Sequence, residues 1–282
     1  MDLNLYDEVG SLFSIEKIKV KGLYNMSYRH YHDAYEIYYL LQGERNYFIK
    51  DRSYNVTKGN LVFINMNDLH KTLDAEKGKI FHERILINFK REFLSSILTP
   101  AIGNDLSNLL TLNSGVIAMD FKDNNLIEEL LYKILKEQKN DSPNSELYIK
   151  TLLLQLLIII NRCSMKNIKH PESEQKNENI FNVVKYINTN YTNKISLRNL
   201  SELFFMSESH LSRSFKKATG FNIVTYINLI RIKEAQKLLL NSNKNITEIA
   251  YQVGYESITH FERVFKSISS ISPLKYRTVN KK

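Results

Sequence analysis

Ser207-Glu208-Ser209-His210-Leu211-Ser212-Arg213-Ser214-Phe215-Lys216-Lys217-Ala218-Thr219-Gly220 decides the fold of the last third of this chain. Its first serine can cap a helix N-terminus, and its closing glycine can end the helix. Between them Leu211, Phe215 and Ala218 anchor one side. Ser209, Ser212, Arg213 and Lys216, at i, i+3, i+4 and i+7, share the other. An offset of 50 brings up a second copy: Ser257, His260, Phe261, Arg263, Phe265 and Lys266 repeat Ser207, His210, Leu211, Arg213, Phe215 and Lys216. In the second copy Thr259, Glu262, Arg263 and Lys266 oppose Phe261, Phe265 and Ile268.

Working outward, each copy has the punctuation of two helices joined by a tight turn. Upstream of the first, Ser196 can cap a helix carrying Leu197, Leu200, Leu203 and Phe204. Upstream of the second, Asn245 and Glu248 have capping-box spacing and Gly254 marks the turn. At the offset of 50, Phe205 aligns with Tyr255, Leu200 with Ala250 and Leu203 with Val253, as a duplicated unit would. Between the copies Tyr226–Leu240 reads as one long helix, a spacer fixing the two units.

Charge follows the same division. The chain of 282 residues carries 39 Lys+Arg against 30 Asp+Glu, a formal +9; residues 1–177 hold 23 of each sign, and residues 178–282 hold 16 basic and 7 acidic. The segment 165–179 has almost no apolar side chains and includes Pro171, so it reads as a linker. Length and a 43% hydrophobic content point to two packed domains and exclude global disorder. A single cysteine, Cys163, excludes an intrachain disulfide and a thiolate metal cluster, and the start lacks a signal-peptide pattern, so the chain reads as cytosolic. The most apolar stretch, Leu152 to Ile160, is broken by Gln155 and is expected to be a buried helix, short of the ~20 residues of a membrane span.

A short helix presenting Arg among small polar residues suits the DNA major groove. Arg can bond guanine O6 and N7 in a fork, Ser and Thr can meet base edges or phosphate, and Glu262 could accept from cytosine N4. Lys216, Lys217 and Lys266 suit phosphates. The bland alternative, a solvated face on an ordinary amphipathic helix, leaves the duplication and the segregated charge without a cause.

Residues 180–277 resemble the DNA-binding domain of the AraC/XylS family of transcription regulators. The match is carried by the Ser207–Gly220 stretch, by Ile-Thr-Glu-Ile-Ala-Tyr-Gln-Val-Gly-Tyr-Glu-Ser from Ile246 to Ser257, by His-Phe-x-Arg-Val-Phe-Lys from His260 to Lys266, and by Ser-Pro-Leu-Lys-Tyr-Arg from Ser272 to Arg277. The resemblance implies seven helices forming two helix-turn-helix units whose recognition helices enter successive major-groove segments. It makes Ser209, Ser212, Arg213, Thr259, Glu262 and Arg263 the base-facing positions, within an interface that also takes in Ser207, His210, Lys216, Lys217, Ser257 and Lys266. Ser270 stands where the family usually has Gly, and Ser267 where it often has Lys, which removes one phosphate contact.

The neutral part begins with strand signals. Tyr35–Leu41, Asn46–Ile49, Asn60–Ile64 and Ile80–Phe89 are separated by turn signals at Gln42-Gly43, Asp51-Arg52-Ser53 and Lys58-Gly59, which predicts an antiparallel sandwich or small barrel. Helices are expected over Asn124–Lys139 and Ser145–Cys163. Leu126, Leu130 and Ile134 on the first helix form either a cover for the barrel or a subunit–subunit contact. The whole is expected to be α+β: an N-terminal arm (1–25), a cupin-like effector and dimerisation domain (26–164), the linker, and an all-α domain (180–282).

His30-x-His32-x3-Glu36-x6-Gly43, with His70 further on, resembles the two motifs of cupin barrels, in which His and Glu bind a divalent metal; Asn65 and Asn67 stand where that pattern has Pro and Gly. Even spacing puts His30, His32, Glu36 and Tyr38 on one strand face, pointing into the barrel. With His70 they are read as lining an effector pocket with no resident cofactor, the alternative being a metal site of His30, His32, Glu36 and His70.

The leading reading is a non-enzymatic, ligand-responsive transcription factor that binds double-stranded DNA. The family resemblance favours an activator, a homodimer and a sugar-related effector. An effector-independent dimeric regulator is the alternative. A cupin metalloenzyme with a basic appendage competes from the enzyme class, without support from a Ser/His/Asp triad spacing, a phosphate-binding loop or a Rossmann fingerprint.

Overall fold

The structure is a computed structural model that describes residues 11–22, 32–75, 81–95, 97, 110, 112–117, 119–140, 142–166 and 178–280. The chain divides into two compact units, Met1–Glu174 and Gln175–Lys282.

In the first unit the described strands are β1 (Phe13–Lys21), β2 (Tyr35–Gln42), β3 (Glu44–Ile49), β4 (Arg52–Thr57), β5 (Leu61–Ile64), β6 (His70–Asp74), β7 (Phe81–Phe89) and β8 (Gly115–Ile117). They form a five-stranded sheet, ordered β1-β7-β2-β5-β8, and a three-stranded sheet, ordered β4-β3-β6. Every pairing is antiparallel. Tyr38, Leu40, Tyr47, Ile49, Val56, Val62, Ile64, Leu86 and Val116 pack together between the sheets. The alternate residues Tyr35, Ile37, Tyr39, Leu41, Leu61, Phe63, Ile85, Ile87 and Phe89 face outward under helices. β2 is apolar almost throughout because both its faces are covered.

Those helices are α1 (Arg91–Ser95), α2 (Phe121–Lys139) and α3 (Ser145–Met165). Asp120 caps α2 by accepting from the Asp123 amide at 2.8 Å. Ile127, Leu130, Leu131 and Ile134 of α2 and Leu152, Leu153, Leu156, Leu157 and Ile160 of α3 complete the outer core. The expected dimer contact is corrected here: Leu130 and Ile134 are 3% and 0% exposed inside the core of their own unit, and only Leu126, at 40%, remains open. The buried helix expected around Leu152–Ile160 is present as the longer α3, which is long and apolar enough to cross a membrane by length and composition. Its apolar face is the second layer of this core.

The arm expected over residues 1–25 is overturned between Phe13 and Lys21. β1 pairs with β7 along its whole length, from Phe13 opposite Phe89 to Lys21 opposite Phe81. Glu16, Lys17 and Lys19 obscured it in the sequence; such charges suit a sheet edge, where β1 lies. The turn signal at Asp51-Arg52-Ser53 likewise gives way to β4 from Arg52 onward. Asn67 takes φ +61°, so the position where the cupin pattern has Gly keeps a left-handed backbone, which Asn tolerates.

The second unit contains α4 (Glu178–Asn190), α5 (Leu197–Leu203), α6 (Glu208–Thr219), α7 (Ile223–Asn241), α8 (Ile246–Gln252), α9 (Ile258–Ser269) and α10 (Pro273–Asn280). The capping residues are those the sequence marks. Ser196 accepts from the Asn199 amide, Ser207 from His210 and Ser257 from His260, and Asn245 and Glu248 make a full capping box. Tyr226, Ile232, Ala235 and Leu239 of α7 are fully buried, so the spacer is the shared core of both helix-turn-helix units.

The register of the repeat needs correction. The caps Ser207 and Ser257 lie 50 residues apart, whereas Ser196 and Asn245 lie 49 apart. The second turn is therefore one residue longer. Phe205, not Phe204, occupies the place of Gly254: both have positive φ, +54° and +93°, and both follow the C-cap of the first helix. The next amides, of Met206 and Tyr255, reach back to Ser201 O and Ala250 O at 2.9 and 3.0 Å. Accordingly Phe205 is 97% exposed and Tyr255 only 2%, so the two are not equivalent. Gly254 is sterically required, because a Cβ there would sit 2.6 Å from Thr192 O.

Candidate functional site

In the second unit α6 and α9 are matching surfaces. Leu211 and Phe215, and Phe261 and Phe265, are completely buried. Ser209, His210, Arg213, Lys216 and Lys217 are exposed on α6 and Ser212 is half-buried; Thr259, His260, Glu262, Arg263 and Lys266 are exposed on α9. Each Arg stands one turn into its helix on the outward side. Arg213 Nε donates to Ser209 O at 3.2 Å, which holds its stem along the helix. Ser207 and Ser257 have their hydroxyls engaged by the His210 and His260 amides at 3.3 and 3.5 Å, so their role here is to start the two helices.

One cation ties together three segments around these helices. Arg231 of α7 donates from Nε to Tyr191 O at 2.7 Å and from a terminal nitrogen to Asn193 O at 2.8 Å, while its guanidinium lies 5.4 Å from the centre of the Tyr255 ring. Tyr255 in turn donates to Asn228 Oδ1 at 3.0 Å, and Tyr226 to Asn188 Oδ1 at 2.9 Å. The loop after α4, the spacer and the second turn are thereby tied together.

In the barrel, three of the expected pocket residues, His32, Glu36 and His70, come together. Glu36 and Tyr38 point between the sheets, 1% and 2% exposed. His32 precedes the strand instead of lying on it, yet its Nε2 reaches Glu36 Oε2 at 3.3 Å. His70, at the start of β6 and fully buried, brings its Nε2 to 3.6 Å from the same oxygen. Tyr47 donates to Glu36 Oε1 at 2.6 Å. His30 lies outside the described residues. Burial opposes charge on Glu36, but His70 and His32 outweigh it and hold the carboxyl well below its usual range. Burial also opposes charge on His70, and Glu36 nevertheless raises its pKa.

Sequence reasoning missed the cationic half of this interior. Arg45 (2% exposed) pairs with Asp74, and Arg84 (6%) donates to His82 Nε2 at 2.8 Å and lies 5.7 Å from the Tyr38 ring centre. A guanidinium only donates, so His82 Nε2 carries a lone pair; burial, with Arg45 and Arg84, pushes its pKa down to about 3. Burial pushes the Tyr38 hydroxyl up to about 12. The signal was present in β7, where His82, Arg84, Leu86 and Asn88 alternate with the apolar Ile85, Ile87 and Phe89.

A repeated, basic, double helix-turn-helix unit joined to a barrel with a polar interior defines a DNA-binding transcriptional regulator with its own ligand-binding domain. Two family descriptions match these halves, an AraC-like ligand binding domain over residues 22–85 and a helix-turn-helix domain over residues 200–278. The chain belongs to the AraC/XylS family of transcriptional regulators. It is similar to the HTH-type transcriptional activator RhaR of Mannheimia succiniciproducens, 26% identical over 250 residues, covering 88% of this chain and 86% of that protein. It is similar also to the bifunctional transcriptional activator/DNA repair enzyme AdaA of Bacillus subtilis, 34% identical over 120 residues, 43% of this chain and 55% of that protein. The solved C-terminal domain of the two-component response regulator yesN from Fusobacterium nucleatum is 36% identical, covering 35% of this chain and 93% of that chain, at a TM-score of 0.33.

Proposed function

We propose that this regulator reads its operator with α6 and α9 and acts as a transcriptional activator, as the relatives RhaR and AdaA are named. Ser209, Ser212 and Arg213, and Thr259, Glu262 and Arg263, face base edges; His210, Lys216, Lys217 and Lys266 meet phosphates and the groove rim. Ser207 and Ser257 serve by capping. The observation that carries this reading is the pairing of two N-capped helices, each with one exposed Arg, in the part of the chain that holds all the net charge. Partnership with DNA places the protein in the compartment that holds the genome.

The barrel interior is the effector site, and no catalysis is assigned to it. Buried guanidinium, carboxylate, imidazole and phenol groups suit a small polar molecule such as a sugar better than an apolar one. Its binding shifts the regulator only by favouring one state over the other. The active species is a homodimer; of the residues first considered for its interface, Leu126 is the exposed one.

The test is selection of bound duplexes from a random pool by the full chain, followed by Arg213→Ala and Arg263→Ala. Each substitution costs about 1–3 kcal/mol at the base it reads and relaxes preference there. A uniform loss across all sequences reassigns those Arg residues to phosphates, and no selected sequence at moderate salt ends the reading.

A further inference from the structure

We propose that His32, Glu36 and His70 bind one divalent transition-metal ion of the zinc class. Their candidate ligand atoms lie within 4.8 Å of one another and come from the loop before β2, from β2 and from β6. The inference takes these residues as a ligand site and not as a purely structural network.

The fit rests on where the protons are. A backbone carbonyl only accepts, so Nδ1 carries the hydrogen where His32 meets Ala34 O at 2.9 Å and where His70 meets Asp68 O at 2.8 Å. In its neutral form each ring then turns an Nε2 lone pair toward Glu36 Oε2, at 3.3 and 3.6 Å. Two lone pairs facing a carboxylate oxygen repel, and the cluster requires a cation. His70 Nε2 is fully buried, has no hydrogen-bond partner and lies beyond hydrogen-bond length from Glu36. Protonating both rings would set two imidazoliums around one carboxylate buried at 1% exposure.

One metal ion accepts all three donors while the protons stay on Nδ1. In a tetrahedral site with metal–ligand bonds of about 2.0–2.1 Å, neighbouring ligand atoms stand about 3.3–3.4 Å apart, close to the two separations seen here. The outer contacts also match: both ligating rings donate Nδ1–H to carbonyls, and Tyr47 fixes the carboxylate through its other oxygen. Two imidazoles and one carboxylate favour Zn2+, Co2+ or Ni2+ over Mg2+ and Ca2+, which prefer all-oxygen shells.

The experiment uses the full, untagged chain, stripped with a chelator and then freed of it, titrated with Co2+ and followed by visible d–d absorption and thermal unfolding. The expected result is a band saturating at one ion per chain, abolished by Zn2+, with a higher Tm on Zn2+ binding and no change with Mg2+. Glu36→Gln and His70→Ala abolish the band. Tyr47→Phe, a gentler change, weakens binding at least tenfold, and its reading decides if the other two fail to fold. No band at saturating Co2+, a band unchanged in these variants, or equal response to Mg2+ overturns the proposal. DNA binding, measured in parallel on the same stripped protein, reports on the second unit and keeps the two readings separate.

Discussion

Ser270 and Phe205 both hold a left-handed backbone that their side chains do not favour. Ser270 ends α9 at φ +64°, its amide bonded to Lys266 O at 2.9 Å, just as Gly220 ends α6 at +79° with a 2.8 Å bond to Lys216 O. The departure from the family's Gly therefore leaves the turn in place and adds strain to it. Ser270→Gly should raise the stability of the helical unit by about 0.5–1 kcal/mol, and Gly220→Ala should lower it by about 1 kcal/mol. Denaturant unfolding followed by the helical signal checks both, and equal stability for Ser270→Gly would remove the strain argument. Phe205 is the costlier outlier, a bulky ring at φ +54° with 97% of its surface in solvent, so no packing offsets its conformation.

Helices α2 and α3 show what a stripe of apolar residues can and cannot say. Leu130 and Ile134 are buried in the outer core, so Leu130→Ala or Ile134→Ala should destabilise the first unit by about 2–4 kcal/mol, and Leu126→Ala by well under 1 kcal/mol. Thermal unfolding of the full chain measures this; near-neutral effects at Leu130 and Ile134 would mean that the outer core is not formed as described. Periodicity revealed the stripe but not its partner, because barrel and neighbouring subunit present the same apolar chemistry. The caps of α5, α6, α8 and α9 were legible because each depends on residues at most three apart. β1, β4 and β6 were not, since charged and polar edge strands look like loops until their pairing is known. In the barrel site, Glu36 and His70 were legible from motif spacing, whereas Arg45, His82 and Arg84 are placed in the interior beside Asp74 and Tyr38 only through register between strands.

Across the whole molecule the charge is partitioned, with the +9 carried entirely by residues 178–282. The logarithm of DNA affinity should therefore fall linearly with the logarithm of salt concentration, with a slope of about −0.9 per phosphate neutralised. Lys216→Ala, Lys217→Ala and Lys266→Ala should each reduce that slope by about one and weaken all sequences alike. A salt titration by fluorescence anisotropy measures it, and an unchanged slope removes that lysine from the interface. The Arg231 contacts have a consequence of their own. Should α6 and α9 read DNA as proposed, the spacer on which both pack, held by Arg231 to the α4 loop and the second turn, would make them a caliper of set opening. A caliper measures distance, so the number of base pairs between the two sub-sites becomes part of the recognised sequence even where no side chain touches them.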